Sequence, residues 1–265
     1  MIKKTILQAL LISTVFFLLW FGFSQIDFMS YFEVKEKTER LESKIGDMIW
    51  DELQETEEVI TNDTILKALD SFVKPLCDAN DIDQDSLKIH ILFKDEVNAF
   101  ALPNNHLVIH SGLIQDCKQT EALQGVLGHE IAHIEKNHVM KKLSKEIGYS
   151  VLLAAAGGSK TGEVTRQIFK TLSSTAYDRK LEKEADITSV NYMIKAKIDP
   201  KPMADFMYQM AQDNQSEKYM EWISDHPDSE ERAKYILEYI KGKKLKSNNT
   251  DEKKWKAFQK KISEQ

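Results

Sequence analysis

The stretch GVLGHEIAHIEKNH, residues 125–138, sets His129 and His133 four positions apart with Glu130 directly after the first histidine. On an α-helix, residues four apart lie on one face, so both imidazoles can aim a ring nitrogen at a single ion about 2 Å away. Glu130 sits about 100° around the same helix, where it reaches a water on that ion rather than the ion itself. The chemistry open to such a set is hydrolysis: a metal polarises a carbonyl and the glutamate takes a proton from the attacking water. Chance is a poor rival, since 7 histidines in 265 residues make HExxH a random event on the order of 0.01–0.02 per chain. A third ligand is needed to make the pattern specific.

Candidates for that ligand are few. His106 and His110 fall on a predicted strand, which separates them by roughly 13 Å, too far for one ion, so they read as surface residues. His138 lies five positions after His133 and points about 140° away, which suits a packing or supporting role. The helix near AYDRKLEKEADITSVNYM offers Glu182 and Glu184, which face nearly opposite sides, so only one can look into the site. Spacing alone does not choose between them. Either would complete a His-His-Glu set and leave a fourth position for water, as in catalytic zinc sites.

The elements that must position these groups are mostly helical. EVKEKTERLESKIGDMIWDELQ carries Leu41, Ile45, Met48 and Ile49 at helical spacing, and Asp63-Thr64 starts a further helix. KIHILF, VNAFAL and HLVIH, with turns near 95 and at Pro103-Asn104-Asn105, predict a small antiparallel β-meander over 88–110. One long helix is expected from about 118 to 156, ended by Gly157-Gly158. Shorter helices follow at about 162–175, 180–197, 201–213 and 229–241, punctuated by Pro200 and Pro227. The segment beginning GGSKTGE reads equally as a lid or as a connecting loop.

At the N-terminus, residues 6–23 carry no charge after Lys3 and Lys4, close to the length a helix needs to cross a bilayer. The lysines ahead of it put the N-terminus in the cytoplasm and the remainder on the extracytoplasmic side. An uncleaved signal anchor is favoured over a removed signal peptide followed by secretion. The resulting domain plan is an anchor at 1–25, a helical linker region at 26–60, the main domain at 61–242 and a charged tail at 243–265, whose last stretch reads as a loosely attached helix or a tail. A net charge of -6, spread along the chain, gives no reason to expect nucleic acid as a partner. Cys77 and Cys117 read more readily as two small buried residues than as a disulfide.

GHEIAH, EKEAD, NAFALPNN and DHPDSEER, in an order that spans roughly residues 85–235, resemble the HtpX and CAAX-prenyl-protease-like zinc metallopeptidases, a gluzincin group. The resemblance implies a zincin-like metallopeptidase domain of α+β class, mainly α-helical, with the β-meander beside the HExxH helix and one zinc ion per chain. It implies Glu184, the glutamate of the EAD triplet, as third ligand after His129 and His133, with Asp186 in support. Asn98, Ala99 and Phe100 match the family's substrate-binding strand. Asn104-Asn105 replaces the usual paired glycines, and asparagine tolerates the positive φ such a turn requires. His226 and Arg232 match the family's HP and ER motif, which implies groups that stabilise the oxyanion beside the base Glu130.

The activity implied is that of a zinc-dependent metalloendopeptidase acting on unfolded or extended protein segments at the outer face of a membrane, in envelope quality control. HLVIHSG is the candidate edge strand for backbone pairing with such a peptide. CAAX processing itself is disfavoured, because that branch is built on several spans and one is visible here. Two rivals remain: a proteolytically silent zinc module that captures unfolded chains, and a membrane-tethered interaction protein using residues 33–60 as an oligomerisation arm. The first has no use for Glu130 as a base. The second is compatible with proteolysis.

Overall fold

The computed structural model describes residues 8, 11–18, 20, 34–157, 166–168, 170–172, 176–213, 216–243 and 251–265. Two units are distinguished, residues 1–41 and 42–265. In the first, the described residues between 8 and 20 are helical, and the expected span over 6–23 otherwise lies outside the described residues. No described helix is long and apolar enough to cross a membrane.

The elements in chain order are α1 (Val34–Thr56), α2 (Asp63–Asn80), β1 (Lys88–Leu92), β2 (Ala99–Leu102), β3 (His106–His110), α3 (Ser111–Asp116) and α4 (Thr120–Glu135). They continue with α5 (His138–Glu146), α6 (Tyr149–Ala156), α7 (Arg179–Lys195), α8 (Lys201–Gln212), α9 (Met220–Asp225), α10 (Ser229–Ile240) and α11 (Glu252–Ser263). The mainly helical α+β class is as expected. α1 buries Ile45, Ile49 and Leu53, and α2 starts at Asn62, whose side chain accepts from the Thr64 N–H.

The sheet differs from an antiparallel meander. Its order is β1-β3-β2, with β1 parallel to β3 and only β2–β3 antiparallel. The hairpin closes as the sequence demands, through Asn104 (φ 63°) and Asn105 (φ 59°) in the left-handed region. The link from β1 to β2 does not turn back as a hairpin; it is drawn elsewhere by bonds such as Val97 N–H to Lys218 O at 2.7 Å. β3, expected at an edge, is therefore the central strand. The outer side of β1 is taken by residues 58–60, with Ile60 N–H on Ile91 O at 2.9 Å, which leaves β2 as the edge without a partner strand among the described residues. His106 and His110 are buried, not surface residues, because they sit on this central strand. His106 Nδ1 lies 2.9 Å from His90 Nε2, and its Nε2 lies 3.1 Å from an Asp47 oxygen.

The expected single helix over 118–156 is three. Asn137 takes a left-handed conformation (φ 54°) between α4 and α5, and Gly148 (φ 93°) separates α5 from α6. Residues 158–165, the proposed lid or loop, lie outside the described residues. The expected charged tail carries α11, which docks Trp255, Phe258 and Ile262 into the core against Phe72. Its charges hide a three-residue apolar stripe at helical spacing. Cys77 and Cys117 are both free and buried.

α4 is the axis of the unit. From Ala122 to Ile134 every residue is buried, so the helix is covered on all sides. Close approach depends on glycine: a Cβ at Gly125 would meet the Met203 side chain at 2.4 Å, and one at Gly128 would meet Ser189 Oγ at 2.7 Å. The Ser189 hydroxyl donates to Gly125 O at 2.7 Å, locking α7 onto α4. β2 packs on the neighbouring side of α4.

Candidate metal centre

His129, Glu130 and His133 face inward from α4 with no exposed surface. The two Nε2 atoms are 3.0 Å apart, His133 Nε2 is 3.2 Å from Glu182 Oε1, and His129 Nε2 is 3.7 Å from Glu182 Oε2. Ligands about 2.05 Å from a tetrahedral zinc are separated by about 3.3 Å, so these three side chains already stand close to the spacing the ion requires. His226 joins them, its Nδ1 3.3 Å from His129 Nε2 and 3.1 Å from both Glu182 oxygens. The four ligand-type atoms all lie within 4.8 Å of one another. Two neutral imidazoles and one ionised carboxylate suit zinc.

The structure brings Glu182 into this cluster and leaves Glu184 outside. The Glu184 side chain is 44% exposed, 3.9 Å from Lys136 Nζ and 3.6 Å from His138 Nε2. Helix phase explains the correction. The buried face of α7 is Glu182, Ala185, Asp186, Ser189, Val190 and Met193, the spacing of one face of a helix, and Glu184 is off it. That signal was present in the sequence: Glu182 and Asp186, four apart, share a face with the apolar positions, whereas the EAD triplet does not mark the ligand.

Each histidine is oriented from behind. Asp186 Oδ1 lies 2.8 Å from His129 Nδ1, which fixes the proton there and frees Nε2 for the ion. His133 Nδ1 is 3.1 Å from His138 Nδ1. For His133 to offer Nε2 to a metal its Nδ1 must donate, so His138 accepts through Nδ1 and carries its own proton on Nε2, toward Glu184. Both residues thus act at one remove from the ion. His138→Ala is expected to weaken zinc binding about 10–100-fold, read by competition with a chelator of known affinity.

Arg232, matched to an oxyanion role, does not face the cleft. Its guanidinium donates to Asp186 (2.9 and 2.7 Å) and approaches Glu182 Oε2 at 2.8 Å, and the Tyr235 hydroxyl also donates to Asp186. Burial would raise both acids, but Arg232 and the histidines overcome it and hold Asp186 and Glu182 below the ordinary carboxylate range. Arg232→Ala would leave two buried carboxylates without their cation. A loss of about 3–5 kcal/mol is expected, measured by chemical denaturation.

Glu130 occupies the cleft side. Its Oε2 accepts from the Ala101 N–H at 2.9 Å, while Oε1 has no hydrogen-bond partner and lies 3.5 Å from His226 Nε2. Burial, then the Glu182 charge, push its carboxyl well above the ordinary range. The register shows why Ala101 is available. His110 N–H pairs with Asn98 O, so Asn98, Phe100 and Leu102 bond inward to β3 while Ala99 and Ala101 turn their backbone groups to the other side of β2, where the Ala101 N–H meets Glu130 of α4. A cleft of about 320 Å³ runs past this strand, lined by Asn98, Phe100, Ala101 and His226 among others. Ala99 is fully buried and does not line it.

Burial drives His90, His110, His133, His138 and His226 down to about 4. The folded chain therefore binds fewer protons than the unfolded one between about pH 6.5 and 4, and this contribution to stability is lost as pH falls through that window. Glu130 and Asp225, raised by burial, act in the opposite sense but are fewer. The urea midpoint of the metal-free chain is expected to be lower at pH 5 than at pH 7.5.

The chain matches peptidase family M48 over residues 66–240, a window that contains every member of the cluster. It is 28% identical over 167 residues to the mitochondrial metalloendopeptidase OMA1 of Schizosaccharomyces pombe, covering 62% of this chain and 50% of that one. Identity to the metalloprotease LoiP of Escherichia coli is 25% over 204 residues, 73% of this chain and 80% of that one. A putative beta-barrel assembly-enhancing protease of Vibrio cholerae is 26% identical over 210 residues, 71% of this chain and 43% of that one. The chain spans about half the length of the S. pombe relative.

Proposed function

The chain belongs to peptidase family M48, a family of zinc metallopeptidases, and on that premise we propose that it is an endopeptidase hydrolysing peptide bonds in extended or unfolded protein segments. The observation that carries this is the convergence of His129 Nε2, His133 Nε2 and Glu182 at zinc spacing, with the Glu130 carboxylate beside them. When bound by these three residues, zinc supplies Lewis acidity to the scissile carbonyl and lowers the pKa of water. Glu130 takes a proton from the attacking water and returns it to the leaving amine. His226 Nε2 has no hydrogen-bond partner and lies 3.5 Å from Glu130 Oε1; in the tautomer that carries its proton on Nε2 the ring donates to the oxygen that gains charge. Arg232 and Asp186 hold Glu182 and His129 in position.

An extended peptide is supported by the cleft that runs along β2 past Asn98, Phe100 and Ala101, since pairing along a strand is a tolerant mode of recognition. β2 takes the part first expected of β3. Dialysis against a strong chelator should abolish casein hydrolysis, and about one equivalent of zinc should restore it. A chain still active with less than a tenth of an equivalent of metal would exclude the mechanism.

The N-terminal residues support a membrane location. The uncharged residues 6–23 and the exposure of Leu11, Ile12, Phe16, Phe17, Leu18 and Trp20 support an apolar anchor, with the peptidase unit on the extracytoplasmic side and envelope proteins as substrates. Membrane fractions of cells making the full chain should retain it through alkaline carbonate washing. Release into the soluble fraction would contradict the anchor.

A further inference from the structure

We propose that Glu221, with Asn98 and Asp225 behind it, forms a subsite that takes a lysine or arginine side chain of the bound peptide close to the scissile bond. This deepens the endopeptidase reading and rests on it. The three residues line the same cleft as His226, and Asp225 directly precedes that histidine.

The charges in the cleft are unequal. Glu57 is answered by Lys94 at 3.2 Å. Among the described residues Glu221 Oε2 meets only the Asn98 amide at 3.4 Å and the His110 ring at 3.7 Å, and burial keeps that ring uncharged at neutral pH. The cation that acts most strongly on Asp225 is Lys142, whose Nζ also donates to Leu172 O at 3.0 Å and makes no hydrogen bond to Asp225 Oδ1. Acceptors are in excess as well: Asn98 is 3% exposed and Asp225 6%, yet Oδ1 of each has no hydrogen-bond partner. Buried acceptors left unpaired are costly, and an ammonium or guanidinium brings three or five donors and no acceptor. The adjoining wall of Leu53, Leu92 and Leu102 gives the aliphatic stem an apolar surface to lie on.

Binding tests this apart from catalysis. Zinc-loaded full chain carrying Glu130→Gln is titrated with fluorescein-labelled unstructured peptides, identical except for Arg, Ala or Glu at one position within three residues either side of the cleavage site found with the active chain, or of the centre if none is cut. At one position Arg should bind about tenfold tighter than Ala, and Glu more weakly. Adding Glu221→Gln should bring the Arg:Ala ratio close to one. Glu238→Gln, which removes a surface charge paired with Lys241 at 3.3 Å, should leave the ratio as it was. An Arg preference that is absent, that survives Glu221→Gln, or that falls equally with Glu238→Gln overturns the subsite. The two readings fail separately: a zinc-loaded chain with Glu130 intact that binds with this preference but never cleaves sinks the endopeptidase reading alone, and one that cleaves without it sinks the subsite alone.

Discussion

Glu130→Gln is expected to keep about one zinc per chain and to lose casein hydrolysis by about 10³-fold, the scale of a general base. The substitution keeps the shape of a fully buried side chain, and its amide oxygen can still accept the Ala101 N–H that Glu130 Oε2 takes at 2.9 Å. Folding should therefore survive. It should even gain slightly, since the carboxylate is buried beside the Glu182 charge and raised by both. What the amide lacks is the capacity to receive a proton from water. A variant that kept zinc and more than about a tenth of wild-type activity would remove Glu130 from the mechanism; one that lost zinc as well would make it part of the metal-holding set instead.

Glu182→Gln and Glu184→Gln should separate sharply in zinc affinity. Glu182 is within 3.2 Å of His133 Nε2 and is held ionised by His226 and Arg232 against the cost of burial. Removing its charge takes away one of three protein ligands and leaves Arg232 with one carboxylate where it had two. A loss of about 10³-fold is expected from a ligand set whose whole binding energy is about 10–16 kcal/mol. Glu184 touches the site only through His138, at 3.6 Å, and its side chain is 44% exposed, so its loss should cost at most about tenfold. Chelator competition on both variants reads the difference directly. Equal losses would mean that the two carboxylates share the task, and the reverse order would restore the ligand implied by the EAD triplet.

How far the sequence carried this result differs from element to element. His129, His133 and Glu130 were legible because a helix repeats its face every three to four residues and the motif is confined to one turn. The choice between Glu182 and Glu184 was legible too, through the apolar face shared by Ala185, Val190 and Met193, but a three-residue motif match overrode it. Arg232 was found as a site residue and misread in role, because a sequence does not say whether a cation meets substrate or two buried carboxylates. The parallel placement of β1 was out of reach: strand pairing is set by contacts distant in sequence, here those of residues 58–60 and Lys218. A helix was one of the two readings of the charged C-terminal stretch, but the docking of α11 was not legible, because its net surface is highly charged and Trp255, Phe258 and Ile262 make a narrow apolar stripe that only a preformed core can recruit.

The central claim is that His129, His133 and Glu182 hold the ion. Anomalous diffraction from zinc-loaded crystals, recorded on either side of the zinc edge, tests it most directly. One peak is expected between the two Nε2 atoms and a Glu182 oxygen, about 2.0–2.2 Å from each. A peak bound to Glu184, or none in a crystal whose solution holds zinc in excess, would contradict the account.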